Sequence, residues 1–270
     1  MKRQLLLWFL ATVVTLGSAY YQRKTGPTYE LRGEVQLAGR AVPYVLARSH
    51  GGAEDHIVRL IPPDSAVRAT VMYRHYQTAE PFQTMEMVYR DGALTAPLPQ
   101  QPPAGHLEYY LVLQDGANTA VVPPDRTAVI RFRGKVPAAA MGPHIILMFI
   151  SMLLSTRAGL EALGKSGRPG KLVFWTTMTL LAGGLILGPV VQKYAFGSYW
   201  TGVPLGWDLT DNKTLIAFIG WLAVMVRQRH NPNPRYAIVA AAVLMLIVFL
   251  IPHSVMGSRL DHITGEVKTG

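Results

Sequence analysis

Four stretches of this 270-residue chain are long, strongly apolar and free of Asp, Glu, Lys and Arg. They cover residues 5–21, 136–156, 172–192 and 236–251. Each approaches the roughly 20 residues that a helix needs to cross a bilayer. A fifth apolar run, 214–226, reaches that length if its helix begins near Asp208, which would then be the N-cap. The sequence therefore predicts a membrane protein with five helical spans.

The distribution of basic residues predicts the orientation. Three segments are rich in basic residues: the start of the chain before the first span, the connection between spans two and three, and the connection between spans four and five. Together they contain nine Lys and Arg residues and one acid, Glu161. They are Lys2, Arg3, Arg157, Lys165, Arg168, Lys171, Arg227, Arg229 and Arg235, and they account for +8 of the net charge of +10. The positive-inside rule places these segments in the cytoplasm of a bacterium whose inner membrane the chain crosses several times. The N-terminus is then inside and the C-terminus outside, and the basic charge argues for membrane lipid and against nucleic acid as a partner.

Residues 28–135 change character and show short runs of strand-like residues separated by Pro and Gly turns. The predicted strands are 28–37, 44–48, 56–61, 66–76, 82–89, 107–114 and 128–133. In the fourth strand Val67, Ala69, Val71 and Tyr73 alternate with more polar residues, which indicates that one face is buried. About seven strands in roughly 105 residues predict an immunoglobulin- or fibronectin-like β-sandwich outside the membrane.

The predicted fold class is an α+β membrane protein with four regions. They are an uncleaved N-terminal anchor (1–22), the external sandwich (28–135), a four-span transmembrane domain (136–256) with an external aromatic loop (193–213), and an external tail (257–270). The sandwich shows no catalytic constellation, and its histidines (His50, His56, His75 and His106) are expected in ordinary surface roles. Docking of a protein partner is its more plausible use. Because the chain has no cysteine, thiolate metal sites, thioether haem attachment and disulfides are excluded.

The residues that suggest chemistry gather at the outer ends of the apolar runs. His144 and His253 each follow a proline, and near-membrane ionisable residues are frequently functional. Met148 lies one helical turn from His144, and Met256 lies three residues after His253, so a His/Met set for haem iron or Cu(I) is possible. The alternative is that the histidines cap helix ends at the interface and the methionines only pack.

The loop between them holds Tyr199, Trp200, Trp207, Asp208 and Lys213. Its aromatic residues are also typical of a belt at the membrane surface. The polar run 208–213 is less typical of such a belt. It is predicted either to bind haem propionates through Lys213 and helix N–H groups, or to complete an oxygen-and-nitrogen metal site with the histidines.

The segment Phe196-Gly-Ser-Tyr-Trp200, followed by Trp207-Asp208 and Leu215-Ile216, resembles the tryptophan-rich haem-handling motif of the cytochrome c assembly family. That resemblance implies haem presented at the outer membrane face between two external histidines, here His144 and His253. It covers about 30 residues plus those histidines. Five additional residues separate the Tyr-Trp and Trp-Asp pairs, the motif's Pro-Lys-Glu-Thr is replaced by residues 209–212, and the leading Trp is Phe196.

Three functional hypotheses follow. The first is a haem-binding or haem-handling membrane protein, in cytochrome assembly or as a subunit of a respiratory complex, with a cytochrome or another complex subunit as partner. The second is a copper protein that uses the His/Met set. The third is a scaffold subunit that docks a partner through the sandwich. A non-catalytic subunit is favoured over an enzyme, because the chain has no nucleophile–base signature. A transporter is disfavoured, because no predicted span carries a mid-membrane charge.

Overall fold

The structure is a computed structural model that describes residues 2–164, 169–253, 255, 257–262 and 264–269. The chain divides into two compact units. One unit, the helical unit, contains Met1–Pro27 and Val136–Ser258, and the other, the β unit, contains Thr28–Lys135 and Arg259–Lys268. The mixed α+β class is confirmed. Lys165 and Arg168, which were counted for orientation, lie outside the described residues.

The helical unit is built from the predicted apolar runs. Its helices are α1 (Lys2–Thr25), α2 (Ala138–Leu163), α3 (Gly170–Leu180), α4 (Gly188–Phe196), α5 (Leu209–Arg227) and α6 (Arg235–Leu250), and a π-helical segment (Leu181–Leu187) joins α3 to α4. Among the described residues, four helices are long and apolar enough to cross a membrane: α1, α2, the continuous helix Gly170–Phe196, and α5. The fifth predicted span, α6, has 16 residues, or about 24 Å, which is short of a bilayer's apolar core of roughly 30 Å.

The helix boundaries near the histidines lie within two residues of the ends of the apolar runs. Helix α2 begins at Ala138, so that Pro143 and His144 lie inside its first two turns. Three consecutive alanines have the highest helix propensity and start the helix before the proline. The last helix, α6, ends at Leu250, and His253 lies in the irregular segment that follows it.

The glycine pair Gly183-Gly184 in the π-helical segment allows this segment to approach two neighbouring helices closely. A Cβ atom on Gly183 would lie 2.8 Å from the Leu147 Cβ of α2, and one on Gly184 would lie 2.7 Å from the Thr214 Cγ2 of α5. Real side chains do not approach at such distances, so the two glycines permit close packing of these helices.

The β unit contains eleven strands between residues 28 and 135. They are β1 (Leu31–Leu37), β2 (Arg40–Leu46), β3 (Ser49–Gly51), β4 (His56–Leu60), β5 (Arg68–His75), β6 (Gln83–Glu86), β7 (Val88–Arg90), β8 (Ala93–Leu98), β9 (His106–Asp115), β10 (Asn118–Val122) and β11 (Ala128–Arg133). The largest sheet has the order β3-β11-β9-β5-β6, with β10 also paired to β9. A three-stranded sheet β4-β8-β7 and the hairpin β1-β2 complete this region.

One hydrophobic core is shared by these sheets. The sequence predicted that alternate residues of β5, together with Val67 just before it, face inward. This is confirmed, because Val67, Ala69, Val71 and Tyr73 are all buried. The central strand β9 contributes Tyr109, which is fully buried and donates its hydroxyl hydrogen to the Ala47 carbonyl oxygen at 2.8 Å. Burial of this phenol raises its pKa.

Several strands were missed by the prediction, and so was the structure of the tail. Strand β8 contains Pro97, and β10 follows the Asp115-Gly116 turn, so neither segment shows a long strand pattern. The tail forms a hairpin of β12 (Ser258–Leu260) and β13 (Val267–Thr269). Within the β unit the Leu260 N–H donates to the Ala104 carbonyl oxygen at 2.9 Å. Residues 259–268 are therefore part of the β unit.

The four histidines that the sequence predicted in surface roles are all partly exposed, and two of them, His56 and His106, make the stability of the β unit depend on pH. Burial lowers the pKa of His56 and of His106 from 6.5 to about 4, with further lowering by His50 and Arg131 respectively. Between these pH values the unfolded chain binds more protons than the folded one, so acidification from about pH 6.5 to about pH 4 favours unfolding.

We expect each of the two histidines to lower the free energy of unfolding by about 2 to 3 kcal/mol over this range. Thermal melting of detergent-purified protein would measure the loss, and a His56→Gln/His106→Gln variant should lose less stability on acidification. An equal loss in that variant would contradict the assignment.

Candidate functional site

One cavity of the helical unit lies between α1, α2, α5 and α6. Its volume is about 180 Å³. Its lining is Thr15, Ala19, Gln22, His144, Ile145, Met148, Phe149, Met152, Lys213, Thr214, Val248, Phe249 and His253. Most of the wall is apolar, and the polar groups are two imidazoles, one ammonium, one amide and two hydroxyls. This combination of an apolar wall and few polar groups is typical of small-molecule and cofactor sites.

His144 is held in a defined orientation by the π-helical segment. Its Nδ1 lies 2.8 Å from the Gly183 carbonyl oxygen. The same carbonyl oxygen accepts the Gly188 N–H, which is the i→i+5 bond of a π-helix. Because a carbonyl only accepts, Nδ1 must carry the proton, and the neutral ring then has its lone pair on Nε2. An Nδ1–H bonded to a backbone carbonyl is the usual support for a histidine that ligates a metal through Nε2.

His253 is oriented differently, by a buried lysine. The Lys213 side chain is only 4% exposed. Its Nζ donates to the Ile251 carbonyl oxygen at 2.6 Å and lies 3.2 Å from the Nδ1 of His253. An ammonium group has hydrogens and no lone pair, so Nδ1 of His253 must accept, and the neutral ring carries its proton on Nε2. The two histidines therefore line one cavity in opposite tautomers.

The N-terminal helix takes part in this cavity, which the sequence did not indicate, since it was interpreted only as an anchor. Gln22 near its C-terminal end donates from Nε2 to the carbonyl oxygens of Phe249 at 2.6 Å and Ile251 at 3.0 Å. Together with Lys213 it satisfies carbonyl groups at the end of α6 that have no partner within the helix. A lone glutamine near the end of an apolar run is the only sequence signal for this role.

The two acidic residues beside the aromatic loop have structural partners. Asp208 is the predicted N-cap of α5, and its Oδ1 accepts from the Thr210 N–H at 2.8 Å. Its Oδ2 accepts from the Ser258 N–H and hydroxyl at 3.0 and 2.9 Å. Asp211 Oδ2 accepts from the N–H groups of Thr201 at 2.7 Å and Gly202 at 3.0 Å. These carboxylates therefore hold the loop and the residues after α6.

The aromatic residues of the loop do not line the cavity. Tyr199 is 60% exposed and Trp207 is 76% exposed, and the Lys193 ammonium lies 5.4 Å from the centre of the Tyr199 ring. The indole N–H of Trp200 donates to the Val203 carbonyl oxygen at 3.0 Å, within the loop itself. Exposed rings at this end of the helices fit the alternative of an interfacial belt better than a cover over a cofactor.

The metal ligands suggested by the sequence are only partly brought together. His144, Met148 and Met152 share one stripe of α2 and line the cavity. Met256 lies outside the described residues. Within the described ranges, no three His, Asp or Glu side chains are grouped closely enough to hold a metal ion. The oxygen-and-nitrogen site with Asp208 is therefore not formed in this arrangement.

The fold and the cavity together define a membrane protein with a helical unit, a separate β unit and an amphiphilic cavity among its helices. Neither a protein-family model nor a curated protein sequence matches this chain.

Proposed function

We propose that this chain is a haem-binding membrane protein and that the cavity between α1, α2, α5 and α6 is its haem site. The observation that carries the proposal is the orientation of His144, whose Nδ1–H is fixed by the Gly183 carbonyl while Nε2 keeps its lone pair. A haem bound there would serve cytochrome assembly or electron transfer, which is the chemistry that this cofactor supplies in membranes.

The side chains of the cavity suit a haem chemically in three respects, whereas the cavity itself, at about 180 Å³, is smaller than the roughly 300 to 1,000 Å³ usual for bound ligands, so haem would enter only if the helices moved apart. Its wall is largely apolar, with Phe149 and Phe249 among the lining side chains. His144 offers one imidazole nitrogen to iron. The buried Lys213 supplies a cation for a propionate, as the sequence suggested. Two expected contributions are not supported by the arrangement of the side chains: the aromatic loop does not border the cavity, and His253 has its Nε2 protonated.

Copper is a second candidate, and one observation favours it. His144, Met148 and Met152 line the same cavity, and imidazole with two thioethers is a ligand set that Cu(I) accepts. A copper site of this kind would use α2 alone and would not need Lys213 or His253.

We also propose the external location of the β unit, the inside position of the N-terminus, and an immunoglobulin- or fibronectin-like type for the β unit. The location is supported by the basic residues that gather at one end of the helices, among them Arg157, Lys171 and Arg227, because such residues favour the cytoplasmic side. The type is supported by a shared core beneath several sheets of short, mostly antiparallel strands, with β3 and β11 as a parallel pair.

The composition of the protein purified from membranes in mild detergent tests the haem proposal. We expect about one haem per chain, with a Soret band, and no stoichiometric copper. A His144→Ala variant should retain less haem by at least about tenfold, because the iron ligand is removed. His230→Ala is the matched control, since its exposed side chain follows α5 and does not line the cavity, and it should retain haem normally.

Two results would contradict the haem proposal. One is a preparation that contains no porphyrin and takes up none when haem is added. The other is one copper ion per chain without porphyrin, lost in Met148→Leu and Met152→Leu variants, which would establish the second candidate.

A further inference from the structure

We infer that the tail segment Arg259–Lys268 is attached to the rest of the β unit through a pair of stacked histidines, His75 and His262, and that acid releases it. This segment belongs to the β unit and contains most of the hairpin β12-β13. The inference concerns the β unit alone and does not depend on the proposed haem function. It gives this unit a surface that changes with the pH of its surroundings.

The tail segment is attached near the end of β5 and the start of β9. The Leu260 N–H donates to the Ala104 carbonyl oxygen at 2.9 Å. Arg259 donates from Nη1 to the Gln77 Oε1, and its Cζ lies 5.8 Å from the centre of the Tyr76 ring. A short terminal segment held by such contacts opens locally at a small cost in free energy, so the protonation of one side chain can decide whether it stays attached.

The histidine pair joins the tail segment to strand β5. The centres of the His262 and His75 rings are 4.0 Å apart, and the ring planes are inclined by 31°. The His262 ring also forms a hydrogen bond with the His106 backbone, while its Nε2 is buried and has no partner among the described residues. On the other side of the pair, His75 Nδ1 lies 2.8 Å from the Glu80 Oε2. An imidazole in such a position can gain a charge between about pH 5 and pH 8.

Protonation of His262 is unfavourable while the tail segment is attached. Burial lowers its pKa from the usual 6.5, and His75 lowers it further. Glu80, Asp261 and the hydrogen bond to the His106 backbone act in the opposite direction and are outweighed. When His75 is charged, in its ion pair with Glu80, a proton on His262 places two like charges in stacked rings. The other charged groups around the pair are Arg74 of β5, Arg131 of β11 and Arg259 of the tail segment.

Acidification therefore favours the released segment. After release the His262 ring is surrounded by water and its pKa returns to about 6.5, so the released segment binds a proton more readily than the attached one. Attachment is strongest above about pH 6.5. Below that pH it weakens by up to about tenfold per pH unit, until the attached form is protonated as well. Release uncovers the rings of His75 and Tyr76, which the segment contacts.

Hydrogen–deuterium exchange of the whole detergent-purified chain tests the inference. We expect the protection of the tail peptide, corrected for the intrinsic effect of pH on exchange, to fall by about fivefold or more between pH 7.5 and pH 5.5. Peptides from β9 should exchange much more slowly than the tail at both pH values. His262→Gln keeps a side-chain donor and cannot become charged, so it should keep the protection at pH 7.5 and lose most of the pH dependence. His230→Gln, at an exposed histidine of the helical unit, is the matched control and should behave like the unmodified protein.

Three results would overturn the inference. They are equal corrected protection of the tail at both pH values, an unchanged pH dependence in His262→Gln, and exchange of the tail together with β9, which would show that the whole unit opens. If His262→Gln leaves the tail unprotected at pH 7.5, His75→Gln decides. A weaker pH dependence in that variant, which lacks the neighbouring imidazole, supports the histidine pair, and an unchanged one rejects it. Because no haem is measured here, failure of this inference is distinct from failure of the haem proposal.

Discussion

Replacing Asp211 by alanine is expected to destabilise the helical unit by roughly 2 to 6 kcal/mol and to open the loop between α4 and α5. The Asp211 carboxylate is only 7% exposed. Its Oδ2 accepts from the backbone N–H groups of Thr201 and Gly202, from the Thr201 hydroxyl at 3.2 Å and from Gln192 Nε2 at 3.1 Å. Alanine leaves these donors without their acceptor, and each unsatisfied buried group costs about 1 to 3 kcal/mol.

Limited proteolysis and thermal melting would measure this effect. We expect new cleavage within residues 197–208 and a fall in melting temperature on the order of 10 °C. Asp211→Asn should lie between the alanine variant and the unmodified protein, because the amide oxygen keeps one acceptor while the amide NH₂ cannot accept. Asp125→Ala, at an exposed acid of the β unit, is the control and should change neither measurement. Unaltered proteolysis of Asp211→Ala would show that the carboxylate does not hold the loop.

Replacing Arg157 by methionine is expected to destabilise the protein by about 3 to 5 kcal/mol, the usual effect of removing one partner of a buried ion pair. Arg157 is 2% exposed, and its Nη1 lies 2.6 Å from the Glu161 Oε2 one helical turn away. The same guanidinium donates from Nη2 to Gln4 and lies over the Trp8 ring, with Cζ 5.3 Å from the ring centre. Methionine fills a similar volume and leaves Glu161 without this cation.

A double-mutant cycle would isolate the ion pair in this second case. Arg157→Met/Glu161→Met should have a stability closer to that of the unmodified protein than Arg157→Met alone, because the partly buried Glu161 carboxylate is then removed together with its counter-charge. Arg227→Met, at an exposed arginine in the last turn of α5, is the matched control and should change stability by less than about 0.5 kcal/mol. Additive effects of the two single substitutions would show that the pair contributes no coupling.

The helices were predictable from the sequence because hydropathy and capping are local properties. The apolar runs form helices, and Asp208 is the N-cap of α5, as its position at the start of that helix predicted. The alternation along β5 likewise placed its buried face correctly. Strand partners were not predictable, because pairing such as that of β3 with β11 joins distant residues. The tail hairpin was missed for a different reason, because its two strands have only three residues each and show no strand pattern.

The site was predictable in part. The two prolyl-histidine pairs at the ends of apolar runs predicted that His144 and His253 lie near each other, and both line one cavity. The sequence gave no information on their tautomers, because these depend on a carbonyl of the π-helical segment and on Lys213 of another helix. The aromatic loop was expected beside the cofactor. Its course is instead fixed by Asp211 and Asp208, whose hydrogen bonds leave Trp207 exposed.

A haem titration of the detergent-purified, haem-free protein, followed by optical absorption, tests most directly whether His144 makes the cavity a haem site. We predict saturation at one haem per chain and an affinity that falls at least about tenfold in His144→Ala but stays within a few-fold in His253→Ala. Indistinguishable titration curves for the unmodified protein and His144→Ala, or no saturable uptake by either, would contradict the assignment.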